Sequence, residues 1–262
     1  SFAGSSELEL VELHPASGRA NIDIGIDPEV MVLSPDGYLV AAADSKSAKI
    51  AVMSLLSRRK LFTLGGFGDP THVTFSQDGS QLYVTDRKTL ELIVVDIVQQ
   101  SIYDRVSLLG TSASDRGADR SNANPDHGVS ALTRTPDGRH GFIAFQGLDS
   151  VMVVDLSSLK VIKRMRVGRQ PLRPYATADA RVVLVPNNGD RSVSVIDTST
   201  LEVIATLPGA GNVTAINTGW FESFAFVMSG NQKRVVVLDL NKFQKAAEIE
   251  LPAIPGAGVV NG

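Results

Sequence analysis

Short apolar runs, rich in β-branched residues, alternate along the chain with clusters of Gly, Asp, Asn and Ser. Runs of this length between turn-forming clusters are the signature of strands. A helical period near 3.6 is not sustained anywhere. Residues 70–109 show the pattern. His72-Val73-Thr74-Phe75 predicts a first strand, closed by the turn Ser76-Gln77-Asp78-Gly79. Gln81 to Thr85, Leu92 to Asp96 and Tyr103 to Leu108 predict three more. One phrase then returns: Ile93-Val94-Val95-Asp96, Met152-Val153-Val154-Asp155, Ser194-Val195-Ile196-Asp197 and Val236-Val237-Leu238-Asp239. Asp155, Asp197 and Asp239 are spaced by 42 residues, whereas Asp96 and Asp155 are 59 apart, an excess of 17. Four strands in a period of this size predict an all-β fold, a β-propeller of four-stranded antiparallel blades.

Asp36-Gly37, Asp78-Gly79 and Asp137-Gly138 mark tight hairpin turns, because Gly accepts positive φ without steric cost. The stretch Leu82-Tyr83-Val84-Thr85-Asp86 matches the signature of the YVTN β-propeller repeats. Asn187 to Leu207 resembles the consensus of that family nearly throughout, and Ser34-Pro35-Asp36-Gly37 and Thr135-Pro136-Asp137-Gly138 are similar to its turn. The resemblance covers essentially the whole chain and is specific for fold, not for activity. It implies kinship with periplasmic and cell-surface proteins, and with the haem d1 propeller domain of cytochrome cd1-type nitrite reductase.

Aligned on the repeat, Ser1 to Gly4 falls at the end of a second strand, Glu7 to Leu13 on a third and Arg19 to Ile26 on a fourth. Pro255 to Gly262 is the start of a further blade. The expectation is one β-propeller domain over residues 1–262, cut at both ends, with about six blades represented. A blade without a neighbour leaves an apolar face wet. The natural protein is therefore expected to be longer, and family habit favours seven blades.

Composition narrows the function classes. The net charge is −3, which gives no general attraction for nucleic acid or anionic membrane. No apolar run approaches the length of a membrane span. The chain has no cysteine, which removes disulfides, thiolate nucleophiles and c-type haem attachment from this segment.

The recurring Asp residues sit at the start of turns, where a carboxylate accepts backbone N–H bonds. They are read as structural. His72 opens a first strand, and His127 precedes the next blade's first strand after the insert 110–127. In a propeller the fourth-to-first crossovers and second-to-third loops share one face around the channel, so both histidines are expected at that mouth. Histidine there ligates a metal or haem iron, or moves protons. Arg169, Arg173 and Tyr175 lie on a crossover, and Arg87 and Arg191 in second-to-third loops of the same face. Guanidinium forks bind carboxylate or phosphate. The competing reading is ordinary surface, neutralised by Asp86, Asp149 and Asp190. The insert is polar and adds no core. Its Asp115, Asp119 and Asp126 lack the ordered spacing of a calcium loop. Trp220 and Phe221 replace a Pro-Asp-Gly turn and suggest a partner contact, or packing beneath the turn.

Three functions follow. The first is a non-enzymatic scaffold that binds another protein or a subunit of a complex, in the bacterial periplasm or at the cell surface. The second, implied by the resemblance, is a propeller carrying d1-type haem or another redox group in electron transfer or cofactor assembly, with His72 and His127 as ligands. The third is a metal-dependent, lactonase-like hydrolase. For that, the first strands and their approaches offer only Glu29, Asn212 and Asn217.

Overall fold

The computed structural model describes residues 6–11, 19–109, 128–219 and 221–255. They fall into two compact units, Ser1–Thr111 and Ser112–Gly262. The insert 110–127, with His127, and also His14 and Trp220, lie outside the described residues.

The first unit begins with a hairpin, β1 (Glu7–Val11) and β2 (Arg19–Asp23). Two antiparallel sheets follow. One is β3 (Val30–Leu33), β4 (Leu39–Asp44), β5 (Lys49–Ser54) and β6 (Arg59–Leu64). The other is β7 (Pro70–Phe75), β8 (Gln81–Asp86), β9 (Glu91–Asp96) and β10 (Ser101–Ser107). The second unit holds three sheets. They are β11 (Thr133–Arg134), β12 (His140–Phe145), β13 (Ser150–Asp155) and β14 (Lys160–Arg166); β15 (Tyr175–Ala176), β16 (Val182–Asn187), β17 (Ser192–Asp197) and β18 (Glu202–Pro208); and β19 (Val213–Thr218), β20 (Phe224–Ser229), β21 (Arg234–Asp239) and β22 (Gln244–Glu250). Every sheet is a meander with strands in sequence order. Among the described residues the only helical element is a single 3₁₀ turn, Gln146–Leu148. The fold is all-β, built of the four-stranded antiparallel blades of a β-propeller. Five blades are complete, and β1–β2 occupies the expected place of a third and fourth strand.

The sheets are apolar on both faces, which explains the unbroken Val/Ile runs of the middle strands. In the fourth blade, Val182, Leu184, Val193 and Val195 pack with Ala225, Val227, Val236 and Leu238 of the fifth. The alternate residues Val183, Val185 and Ile196 pack with Phe142, Ala144, Val151 and Val153 of the third. In the first unit, Ala41, Ala43, Ile50 and Val52 pack on Val73, Leu82, Ile93 and Val95. Ala42, Ala51 and Met53, on the opposite face, are covered by Leu8, Ile22, Ile24 and Ile26. Each buried Val or Ile contributes roughly 1.5–3 kcal/mol.

Polar residues close the strand ends. At the third-to-fourth turns, Asp96 accepts the N–H groups of Val98 and Gln99 at 2.8 and 2.7 Å. Asp155, Asp197 and Asp239 repeat this with residues two and three positions on. Ser54 fills the position in the first blade and accepts the Ser57 N–H. The last residue of each of these turns takes a left-handed φ, as in Arg58, Gln100, Leu159, Leu201 and Phe243. The outer strand of every blade then shows one register irregularity against the third. Such bulges sharpen the twist. At the first-to-second turns, Asp36, Asp78, Asp137 and Asp179 each take a hydroxyl two residues before and an N–H two residues after. Gly37, Gly79 and Gly138 adopt φ between 71° and 74°, as the Asp-Gly reading requires.

Replacing Asp197 with Ala leaves the Ser199 and Thr200 N–H groups without their acceptor. It should cost about 0.5–2 kcal/mol, read as a lower urea midpoint with the m-value unchanged. Acid should act through the same caps. Hydrogen bonds from the Ser158 N–H and the Ser157 and Ser158 hydroxyls lower the Asp155 carboxyl from 3.8 to about 2. A depressed folded pKa gives stability that is complete above the unfolded value and lost as pH falls toward the folded one. Urea midpoints of wild type should therefore fall between about pH 4 and pH 2. Asp155→Asn should be less stable at neutral pH and show a shallower fall.

Candidate functional site

The face expected to hold a ligand is built from second-strand ends and the crossovers that approach them. In the first unit, β8 ends at Asp86, which is fully buried. Its carboxylate accepts four backbone N–H bonds: Gly68 at 2.6 Å and Asp69 at 3.1 Å from the crossover, Lys88 at 3.1 Å and Thr89 at 3.0 Å from its own loop. Burial works to raise this carboxyl's pKa. The N–H bonds from Thr89, Gly68 and Asp69 outweigh it, and the net shift is downward. Asp44, one period earlier at the end of β4, does the same with the N–H groups of Asp27, Lys46 and Ser47. Asn187 and Ser229 hold the equivalent place in the second unit. Asn187 donates to Ser192 and Ser194, and Ser229 donates to the Gly211 carbonyl.

His72 stands in β7 opposite Thr85, half-buried, with Nδ1 at 3.2 Å from the Thr71 hydroxyl. Arg87, two residues beyond Thr85, donates from Nε to Asp69 at 2.8 Å. Its carboxylate partner is thus Asp69 on the crossover, while Asp86 is committed to backbone N–H groups. Asp69 also orders the crossover through its carbonyl, which accepts the Arg87 N–H.

In the second unit, Arg169 lies on the crossover after β14 and pairs with Asp190 at 2.5 Å. The Arg169 N–H also reaches Asp190, at 2.6 Å. The hydrogen bond and charge of Asp190 raise the Arg169 pKa, and the same bond lowers that of Asp190. Asp149 accepts the Gln170 N–H at 3.0 Å, and the Asn188 side chain accepts the Asn212 N–H at 2.5 Å. Arg173 and Arg191 are exposed, and their guanidinium groups make no hydrogen bond or ion pair among the described residues. Arg191 has a left-handed φ of 52°. Tyr175 opens β15 and packs partly buried on the core shared with the fifth blade. The structure therefore ties Arg87 and Arg169 into the frame and leaves Arg173 and Arg191 open.

Of the residues considered for a metal hydrolase, Glu29 accepts the Ser45 hydroxyl and lies 3.8 Å from Lys46. Among the described residues, no group of three His, Asp or Glu side chains is arranged to hold a metal. No helix among them is long and apolar enough to cross a membrane.

The sequence reading passed over Asp44 and Ser229, met Asn187 only inside the repeat consensus, and took Asp86 as a neutralising neighbour of the basic rim, not as the cap of a crossover. Their spacing was available: Asp44 and Asp86, and Asn187 and Ser229, are each one period of 42 apart. Asp86→Ala should strand four N–H groups in a buried setting. It should cost about 1–3 kcal/mol or more in urea unfolding, exceeding the loss from Asp197→Ala, whose cap is partly solvated.

No protein-family model matches the chain, and no curated protein matches it in sequence. Among solved structures it is similar to a chain of hydrazine synthase from Kuenenia stuttgartiensis. The two are 15% identical, with a TM-score of 0.69 over 96% of this chain and 82% of that one. At that identity the likeness shows the fold, a β-propeller, and the fold alone.

Proposed function

We propose that this chain is a rigid, non-enzymatic scaffold that binds another protein through the turns and edges of its blades. The observation that carries the reading is Phe221, whose side chain is 84% exposed. It occupies the position at which Asp36, Asp78, Asp137 and Asp179 close the first-to-second turns of the other blades, one period after Asp179. An Asp at that place supplies turn-closing bonds. The Phe221 side chain supplies none, and its ring forgoes the gain of burial until a partner covers it. The backbone bond from the Glu222 N–H to the Gly219 carbonyl at 2.9 Å, which the turns of the other blades share, closes this turn without a side-chain cap. Exposed aromatic anchors on rigid elements are the groups from which protein interfaces draw most of their energy.

The resemblance to YVTN repeats belongs to the same proposal and supports, as part of it, a location in the bacterial periplasm or at the cell surface. A second reading, an anionic cofactor or ligand, has one observation in its favour: the open guanidinium groups of Arg173 and Arg191. A haem group fits the other candidates less well, since Asp69 and Asp190 already neutralise Arg87 and Arg169.

Protein isolated from its native source decides between the two. The scaffold reading expects a co-purifying protein in stoichiometric amount. Phe221→Ser should weaken its capture about tenfold or more with the melting temperature unchanged. A visible absorption band, or capture indifferent to Phe221→Ser, would favour the cofactor reading or another surface.

A further inference from the structure

Each blade ends in an outer strand with one side paired to the third strand, and the five differ sharply in charge. β14 reads Lys-Val-Ile-Lys-Arg-Met-Arg, four cations in seven residues and no acid. β6 has two cations; β10, β18 and β22 have at most one cation, and each carries an acid. The whole chain has a net charge of −3, so β14 is a local reversal of sign. Lys and Arg are ordinary guards of sheet edges against unwanted pairing. Bulges and Pro guard edges as well, and every outer strand here carries a bulge, so edge protection does not call for four cations on one edge. β18, one period later, has Val203-Ile204-Ala205-Thr206 at its centre and a single charge, Glu202. Edge protection alone does not explain why β14 differs.

The geometry leaves much of this charge available. Lys163 pairs with Glu202 of the next blade. Lys160 and Arg166, at the two ends of the strand, are exposed and form no ion pair among the described residues. The nearest acid in the register, Asp155, lies opposite Lys160, but it is held by the N–H and hydroxyl groups of Ser157 and Ser158. Between the cations, Ile162 is 46% exposed. Among the described residues no strand pairs with the outer side of β14. Half of its backbone N–H and C=O groups therefore face outward, over a length of about 20 Å.

We infer that the outer edge of β14 is a docking strand for an extended acidic segment of a partner protein. The inference rests on the scaffold reading and names the partner's chemistry. The segment would add a strand to the blade through main-chain hydrogen bonds, with Asp or Glu near one end facing Lys160 and near the other facing Arg166. Lys160 stands opposite Asp155 and Arg166 opposite Ser150, and the bulge between them puts the two cations on opposite faces, so acids at both ends of the segment, one on each face, are the recognised feature. A single-stranded nucleic acid is the less favoured occupant, because such sites rely on aromatic stacking and β14 has no aromatic residue.

The test uses the whole chain and a short fluorescent Val/Thr peptide carrying Glu near each end, one on each face of the strand, followed by anisotropy. The expected result is saturable binding that weakens about tenfold or more in Lys160→Glu/Arg166→Glu. It should weaken similarly when alternate backbone nitrogens of the peptide are methylated. Phe221→Ser should leave peptide binding intact. A circular-dichroism spectrum and melting curve identical to wild type establish that the double variant is folded. Should it unfold, Lys160→Gln/Arg166→Gln replaces it with a smaller loss expected. Absence of saturable binding, affinity indifferent to both the charge change and N-methylation, equal binding of a peptide of the same composition with its acids gathered at one end, or displacement of the peptide by oligo-dT at lower concentration each overturns the proposal. If the peptide fails while capture of a native partner still depends on Phe221, the β14 site falls and the scaffold reading stands. If both fail, both fall.

Discussion

A four-stranded sheet with two apolar faces is stable only when both faces are covered. Nearly everything else in this chain depends on that constraint. In β16 the faces alternate between Val182 and Leu184 on one side and Val183 and Val185 on the other, and all four are buried. Covering one face alone would leave about half of these side chains in water, at roughly 1.5–3 kcal/mol each. Hence the middle strands read as continuous apolar runs, and small residues such as Ala41, Ala42 and Ala43 appear together. Hence also the fixed period: each blade must present the same two surfaces to its neighbours.

With both faces taken, polar chemistry is driven to strand ends and outer edges. The ends need it for structural reasons. Each turn exposes N–H groups that no ladder satisfies, and a carboxylate is the strongest acceptor available to them. Asp44 and Asp86 show the extreme form, since they hold together the loop of their own blade and the crossover arriving from the one before. The ion pair of Arg169 with Asp190 serves the same joint in the second unit. Both of its members are largely exposed, so it adds little to stability and acts mainly to fix the loop's conformation.

The legibility of the sequence follows the same division. Strand identity, blade order and the structural role of the recurring Asp residues were readable, because packing imposes them at every period. Boundaries drifted by one or two residues: β7 begins at Pro70 and β10 at Ser101, since the ladder extends past the apolar positions that mark a strand. The bulges and left-handed turn residues were not readable, because Arg58, Gln100 and Phe243 differ in type from one another and from Leu159 and Leu201, and none is a residue that favours positive φ. At the candidate site, the charges were visible but not their pairing. The sequence offers Asp86 as the neighbour of Arg87. Asp86 instead points into the turn, where four N–H donors compensate its burial, and Asp69 comes to Arg87 from 18 residues away. Contacts made across a crossover carry no local signature.

Function in such an architecture has to be sought where the repeat is broken. A residue that recurs in every blade is accounted for by packing or by turn closure, and its presence carries no information about a partner. Phe221 in place of a capping Asp, and four cations on one outer strand out of five, have no such account. Each forgoes a local gain: Phe221 a set of turn bonds, and β14 the β-branched and aromatic residues that suit strands better than Lys and Arg. The frame tolerates both because neither Phe221 nor the β14 cations belong to the buried clusters between blades, so the cost is local and the core is untouched. A partner that covers the Phe221 ring or neutralises β14 would recover that cost in the bound state only. On the scaffold proposal, binding and folding draw on different parts of the sequence, and a substitution at either site should change one without the other.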